Sequence, residues 1–401
     1  MAVDFPNLRH LRAFMEVSDA GGISAAAHRV HLSQPAVTQA IAGLEQRFGS
    51  RLLDRRPEGM FPTPEGDVLL LRVRRMFSIL AQGAAQAVRL AGRRDGKPVA
   101  DFQTRATAAQ LRALVAIGEA GSFSLAARKL EISQPSIHRA GRDLERLSGL
   151  RLFLPGRKGI ELTPQAEAFA RAVKLAAAEL SQGLDELTRL RGQDTTRIRV
   201  GSMPLSRTEV LPSACDALLR EAAGVQILLV DAPYAELLRE LRHGDLDVLI
   251  GALRDPPPTE DVVQEPLFDD TLAVMARPGH PLQGRSGLSL ADTLAYPWIA
   301  PPKETPAGAY LFRTLGIGTL EKTPVRVVTS SMVLVRGMLA RGDYLTILSP
   351  RQAALEIAQG LMRPLDLPLP GSARPIGLTT RADWVPTPTQ ARFLDLVRAA
   401  V

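Results

Sequence analysis

The chain has 401 residues, 45% of them hydrophobic and 23% charged, which leaves room for roughly two to four domains with cores of their own. It contains no run of about 18 apolar residues, which excludes an ordinary membrane-spanning helix, and its single cysteine, Cys215, excludes an internal disulfide or a multi-cysteine zinc site. The net charge of +7 is uneven: residues 1–196 carry 28 Lys and Arg against 20 Asp and Glu, and residues 197–401 carry 21 against 22, so only the N-terminal half is suited to a polyanion.

The N-terminal sequence MAVDFPNLRHL has an early acid and no apolar core. It does not read as a secretory signal, and the expected compartment is the cytoplasm. Residues 8–66 then align with 108–166 without a gap, and 20 of the 59 pairs are identical. Two copies at this spacing make a tandem domain, because a solenoid needs about three or more stacked repeats.

In the first copy, Leu8, Leu11, Phe14, Met15 and Val17 recur at helical spacing until Gly21-Gly22. A short small-residue helix follows, with Ser24 placed as its cap. After the break His31-Leu32-Ser33, Ser33 caps a helix with Pro35 in its first turn. Val37, Ile41, Leu44 and Phe48 form the inward stripe of that helix, and Gln34, Pro35, Thr38, Gln39, Ala42 and Gln46 its outward face. The second copy has Ile137, Gly141, Leu144 and Ser148 inward and Pro135, His138, Arg139, Arg142 and Arg146 outward.

Each of these helices is followed by a predicted hairpin with Gly59 or Gly159 at its tip, ending at Thr-Pro. Long amphipathic helices are expected next, over 65–91 with Leu71, Phe77, Leu80, Ala84 and Val88 on one stripe, and over 165–190 with Phe169, Val173, Leu180, Leu184 and Leu187. Gly92–Pro98 reads as a flexible joint between the copies and Gly192–Thr196 as a second joint. In the second copy, Gly141 inside the helix, Pro155 in place of Arg55 and Ala166 in place of a turn glycine, Gly66, read as defects.

From residue 197 short apolar segments alternate with helical ones, predicting a parallel sheet from 198–201, 225–230 and 246–251. Further strands are expected at 271–276, 298–300, 325–329 and 346–348, interleaved with helices near 289–295, 307–315, 331–341 and 350–358, which makes a second sheet. A strand at 374–380 and a helix near 387–400 close the chain. The predicted divisions are 1–91, a joint at 92–106, 107–191 and 192–401.

The string AGGISAAAHRVHLSQPAVTQAIAGLEQRFGSRLLDRRPEGMFPTPEG resembles the winged helix-turn-helix of the LysR-type transcriptional regulators, and AGSFSLAARKLEISQPSIHRAGRDLERLSGLRLFLPGRKGIELTPQAE resembles it a second time. The remainder, with RIRVGSMPL, LRHGDLDVLIGAL, VMARPGHPL and ARGDYLTILSP, is similar to that family's effector-binding domain. The resemblance implies an α/β multidomain fold, two tandem winged helix-turn-helix domains followed by a two-lobed, periplasmic-binding-protein-like effector domain. The duplication departs from the family pattern of one DNA-binding domain and about 300 residues.

The implied partners are double-stranded promoter DNA, a small-molecule effector and RNA polymerase, with no cofactor, metal or membrane. A recognition helix fits the major groove while wing residues meet phosphates. The implied DNA-binding residues are Ser33, Gln34, Pro35, Thr38, Gln39, Arg55 and Arg56 in the first copy. In the second they are Ser133, Gln134, Pro135, His138, Arg139, Arg142, Arg157 and Lys158. An anionic effector would lie between the lobes, held by helix N-termini and hydroxyls rather than a basic patch. The candidates are Ser202, Met203, Pro204, Leu205, Gly251, Ala252, Thr305, Ser330 and Ser331.

Family members pair through the helix after the wing, and this chain has two such helices. Pairing between chains, giving a homo-oligomer (dimer or tetramer), is the expectation, and pairing within one chain is the alternative. An enzyme is the rival from another class; no G-x-S-x-G elbow, nucleotide glycine loop or H-E-x-x-H supports it. The other rival is an architectural DNA-binding protein without effector response.

Overall fold

The computed structural model describes residues 3–91, 98–157, 159–320 and 322–401. The first copy folds as α1 (Leu8–Ala20), α2 (Ile23–Arg29), α3 (Gln34–Phe48), the hairpin β1 (Leu53–Arg56) and β2 (Gly59–Pro62), and α4 (Pro64–Leu90). The second repeats it as α5 (Ala108–Ala120), α6 (Phe123–Lys129), α7 (Gln134–Ser148), β3 (Phe153–Gly156), β4 (Gly159–Leu162) and α8 (Pro164–Leu190).

The shared motifs have matching roles in both copies. Ser33 and Ser133 cap α3 and α7 by accepting from the N–H of Ala36 and Ser136. Glu45 Oε1 accepts from the N–H of Leu52 at 2.8 Å and Glu145 Oε1 from that of Leu152 at 2.9 Å, which fixes where each wing leaves its recognition helix. Thr63 accepts from Gly66 N and donates to Arg51 O at 2.7 Å, while Thr163 accepts from Ala166 N and donates to Arg151 O at 2.9 Å. The Pro that follows each Thr takes the first helical position, where its missing N–H costs nothing.

Four sequence expectations change here. Ser24 lies inside α2, whose N-cap is Gly22, whereas in the second copy Ser122 caps α6. Gly66 is not a turn residue but sits in the first turn of α4, where a Cβ would stand 2.0 Å from Leu52 O. Leu71 and Leu184, expected on inward stripes, are exposed, and the buried stripe of α4 keeps Leu80 and Ala84 of the expected set and adds Leu69, Val73 and Met76. Gly141 is not a defect: a Cβ there would lie 3.2 Å from both Ile117 Cδ1 and Phe153 Cε2. The first copy carries Ile41 and Leu53 at the matching positions, so the second has moved volume from the helix to the wing.

The two post-wing helices meet each other. α4 packs against α8 of the same chain, the arrangement given above as the alternative. One apolar cluster therefore runs from Phe5 to Leu187 through both copies. Residues 92–97 of the expected joint lie outside the described residues. Beyond it, a short 3-10 turn at Phe102–Thr104 buries Phe102 edge-on against Phe169, with ring centroids 4.8 Å apart.

The C-terminal region continues as β5 (Arg197–Ser202), α9 (Val210–Glu221), β6 (Gln226–Val230), α10 (Tyr234–Arg242), β7 (Val248–Ala252), β8 (Val262–Asp270), β9 (Ala273–Ala276), α11 (Leu290–Thr293), β10 (Trp298–Ala300) and α12 (Pro306–Ala309). It ends with β11 (Val325–Val328), α13 (Met332–Leu339), β12 (Leu345–Leu348), α14 (Ala354–Ala358), β13 (Arg363–Pro364), β14 (Arg374–Arg381) and α15 (Pro388–Ala399). The first sheet has the order β6-β5-β7-β14-β8, with β5, β6 and β7 parallel and β14 antiparallel to both its neighbours. The second has the order β11-β10-β12-β9-β13, with β9 antiparallel to β12.

The chain therefore crosses from lobe to lobe twice, after Asp270 and before Arg374, and these two residues face each other in the β8–β14 ladder. β8 has no counterpart in the sequence reading. Pro266 interrupts its alternation and sits at a register shift opposite Gly377. Among the described residues no helix is long and apolar enough to cross a membrane.

Candidate nucleic-acid interface and effector cleft

In the first copy, Gln34, Pro35, Thr38, Gln39, Arg55 and Arg56 line one open groove between α3 and the wing. Ser33 stands at its edge as the helix cap. Gln34 Nε2 donates to Ser24 Oγ at 3.0 Å, and Thr38 Oγ1 donates to Gln34 O at 3.1 Å, so both side chains are held in place before any ligand arrives. The Arg56 guanidinium lies over the Phe61 ring, 5.3 Å from its centroid.

The second head offers a different surface. Gln134, Pro135, His138, Arg139 and Arg142 are all exposed on α7, and the His138 ring rests 5.0 Å from that of Phe123. Two of its arginines are already engaged. Arg142 Nη1 contacts Glu145 Oε2 at 2.6 Å, and Arg146 pairs with Asp143. The basic face read from the sequence is thus partly neutralised along its own helix. Arg157 is exposed in the wing turn, Pro155 occupies β3 where the first wing has Arg55, and Lys158 lies outside the described residues.

Between the two α/β lobes, Met203, Pro204, Leu205, Ala252, Thr305 and Ser330 line a single cleft. Three other candidates do not line it. Ser202 is buried and its Oγ accepts from Arg207 Nε at 3.0 Å. Gly251 backs the Met203 side chain, where a Cβ would stand 2.3 Å from Met203 Cγ. Ser331 caps α13 by accepting from Leu334 N.

The residue that sequence reasoning missed in this cleft is Arg374. Its Nη2 contacts Asp270 Oδ2 at 3.2 Å, and Ser349, which follows β12 in the other lobe, donates to Asp270 Oδ1 at 2.5 Å. Arg374 Nε is buried without a hydrogen-bond partner. Burial pulls the pKa of Arg374 below its ordinary value, with Asp270 acting the other way. An arginine opening a strand carries no local signature, and its place in the cleft follows only from the β14 ladder. Thr329, Thr346 and Gln352 supply further polar atoms among apolar walls that include Pro301, Met332 and Ile376.

The domains that carry these surfaces match known families. Residues 191–401 match the LysR substrate binding domain, and residues 8–67 and 108–167 each match the bacterial regulatory helix-turn-helix of the lysR family. The HTH-type transcriptional regulator GalR of Pseudomonas putida is 32% identical over 399 residues, covering 100% of this chain and 98% of that protein, so both heads have counterparts there. The HTH-type transcriptional regulator PcaQ of Agrobacterium fabrum is 29% identical and covers 72% of this chain but 93% of its own, which leaves it room for one head only. Full-length OxyR from Pseudomonas aeruginosa shares the fold, with a TM-score of 0.52 at 21% identity over 73% of this chain and 94% of that one. With two helix-turn-helix matches and one substrate-binding match spanning its length, the chain belongs to the LysR family of DNA-binding transcriptional regulators and is not an enzyme.

Proposed function

We propose that this regulator reads promoter DNA with the exposed faces of α3 and α7 and the two wings, and that a small anionic effector bound between the lobes controls it. The groove that gathers Gln34, Thr38, Gln39, Arg55 and Arg56 supports the DNA reading, since it sets amide and hydroxyl groups beside guanidinium groups at one helix. The first kind suits base edges and the second phosphates. Functional divisions at 1–91, 107–191 and 192–401 follow from it, with the protein working in the cytoplasm beside DNA and RNA polymerase.

Arg374 carries the effector half of the proposal. It joins the two crossover strands through Asp270, has a buried N–H to spare, and lies among apolar walls. A carboxylate or similar oxyanion on an apolar body would fill the cleft and take up the unpaired donor. Binding there would act on the points where the chain passes between lobes. Association of several chains is part of the proposal as well. It would use the effector domain, whose edge strands β6 and β11 expose Leu228, Leu229 and Val328.

Two measurements test this reading. Enrichment of duplexes from a randomised pool by the full chain should return a defined sequence. A thermal-shift screen of small carboxylates and phosphates should return a ligand, since one at 100 times its Kd adds about 2.7 kcal/mol. Failure of both would remove the proposal.

A further inference from the structure

Gly83 of α4 faces Ala172 of α8, where a Cβ on the glycine would stand 2.1 Å from the alanine Cβ. Gly183 of α8 faces Arg72 of α4, with 3.2 Å from a Cβ to Arg72 Cγ. Shifting each residue of the first pair by the 100-residue repeat gives the second pair. The two helices therefore run antiparallel about a pseudo-twofold axis that exchanges the copies, the arrangement of a symmetric dimer interface inside one chain.

The axis extends to the heads, because each is fixed to its helix in the same way. Thr63 N donates to Leu52 O at 3.1 Å and Thr163 N to Leu152 O at 3.0 Å, and the wings are tied back by Met60 N to Gly21 O at 2.9 Å and Ile160 N to Gly121 O at 2.7 Å. Heads related by a twofold axis meet DNA in opposite senses.

The helix pair is nonetheless chemically unequal. Arg72 is wholly buried and bonded to Glu179, Gln182 and Glu186 of α8. At the equivalent place across the axis stand Ala172 with Ile79, Gln82 and Gln86. Two α4 helices paired with each other would bury Arg72 with no carboxylate opposite, and two α8 helices would bury Glu179 and Glu186 with no cation. An uncompensated buried charge disfavours either self-pair, so the sequence selects α4 with α8.

Connections within the chain favour its own α8 over that of another chain. Arg12 of the first head donates to Thr104 O at 2.8 Å, and Val99 N donates to Ser148 O at 2.8 Å. Arg191, just past α8, donates to Phe48 O and Gly49 O at the end of α3.

From this arrangement we infer that one chain is a complete DNA-reading unit, with two non-identical heads fixed about a pseudo-twofold axis, and that its operator consists of two inverted, dissimilar half-sites. The inference rests on the proposed reading of DNA by α3 and α7.

The test uses the full chain and a duplex enriched from a randomised pool by the wild type. Thr38→Glu places a carboxylate in the first head and His138→Glu in the second, both at exposed positions where thermal melting should not change. Each variant should bind the duplex about 10²- to 10⁴-fold more weakly, the advantage that two linked modules have over one. When the two variants are produced together in one cell, no fraction with wild-type affinity should appear. A fraction that regains wild-type affinity for a duplex holding a single inverted pair of half-sites shows heads pairing between chains, because association through the effector domains leaves each intact head beside a damaged one on its own axis, and it overturns the inference while leaving the DNA reading intact. Two identical inverted half-sites, or a loss from only one of the variants, also overturn it. Failure to enrich any duplex overturns the DNA reading itself, and this inference with it.

Discussion

Arg72 of α4 grips Glu186 of α8 in a fork, Nε to Oε2 at 3.1 Å and Nη2 to Oε1 at 2.7 Å. The same guanidinium donates from Nη1 to Glu179 Oε2 at 3.0 Å and to Val385 O at 2.9 Å. One buried side chain thus joins both long helices and the effector domain. Those carboxylates hold its pKa above the ordinary value even though burial acts the other way.

Removing one partner of such a cluster is worse than removing all of it. Arg72→Leu should cost about 3–5 kcal/mol, since Glu186 is left without a cation and the buried Glu179 keeps only Arg75. The triple variant Arg72→Leu, Glu179→Leu, Glu186→Leu should recover most of that loss but should no longer discriminate α4·α8 from self-pairs. Urea unfolding reads the first effect, and light scattering reads the second as new association between chains.

The exchange of volume around Gly141 gives a second test. Gly141→Ile alone should cost about 1–3 kcal/mol by overpacking against Phe153 and Ile117. Adding Phe153→Leu recreates the pairing of the first copy, so the double variant should be more stable than the sum of the single effects by about 0.5–3 kcal/mol. Strict additivity in a double-mutant cycle would show that the two positions are independent.

The cleft prediction turns on Arg374. Once an anionic ligand is found, Arg374→Met should weaken its binding by roughly ten- to a hundredfold, the worth of a charge-assisted hydrogen bond. Ser202→Ala and Ser331→Ala should leave affinity unchanged, because their hydroxyls serve Arg207 and the start of α13. Calorimetric titration of the three variants separates a cleft built on Arg374 from one built on the serines.

Stability against pH should carry two opposed contributions near the contacts of α8 with the effector domain. Burial pushes the Asp185 carboxyl up to about 7, with Asp247 and Asp194 adding to the rise against Arg199 and Arg197. Its folded-state pKa lies above the unfolded value, so its contribution is present below about pH 4 and is lost as pH rises through 7. Burial pulls His243 down to about 4, helped by Lys174; stability from its neutral form is present above about pH 6.5 and is lost as pH falls through 4. Between pH 4 and 6.5 the two slopes oppose each other. Asp185→Asn should therefore leave a stability that climbs with pH over that window, and His243→Gln one that falls. The gain from Asp185→Asn at pH 8 should be on the order of 2 kcal/mol, since partial exposure screens the penalty on the charged carboxylate. Melting temperatures across pH check both signs.

What was legible in the sequence depended on whether a residue's role is local. Ser33 and Thr63 and their repeats act within one copy, so the helix cap and the end of the hairpin could be read in place, whereas Glu45, which holds the wing to its helix, carried no such signal. The long helices were legible as elements and in most of their facing, with Leu80, Ala84, Phe169, Val173, Leu180 and Leu187 buried, but Leu71 and Leu184 extend the apolar pattern without being buried. Arg72 lies on the buried stripe between Leu69 and Met76, Glu179 lies on that of α8, and Glu186 lies at its half-buried edge. Opposite charges on two apolar stripes were the available signal for pairing within the chain. Gly141 looked like a weakness until Phe153 was seen against it. Arg374 and Asp270 are 104 residues apart, and only the β8–β14 ladder, hidden by Pro266, brings them together.

The two heads should differ in how they use charge on DNA. On α7, Arg142 and Arg146 are held by Glu145 and Asp143, and among the described residues no carboxylate pairs with Arg139. A phosphate contact by Arg142 must first break an ion pair, and Glu145 must keep its bond to the Leu152 N–H for the wing to stay in place. Arg139→Ala should lower the salt slope of binding by about one unit, the value of one phosphate contact. Arg142→Ala and Arg146→Ala should each lower it by less than half of that. In the first head, Gln34→Ala and Thr38→Ala should leave the slope alone and relax base preference by about 1–3 kcal/mol per lost contact. Binding of cognate and scrambled duplexes over a range of salt concentrations measures both quantities. If Arg139→Ala erases discrimination between the duplexes while its slope stays at the wild-type value, Arg139 reads a base and the second head is a sequence reader equal to the first.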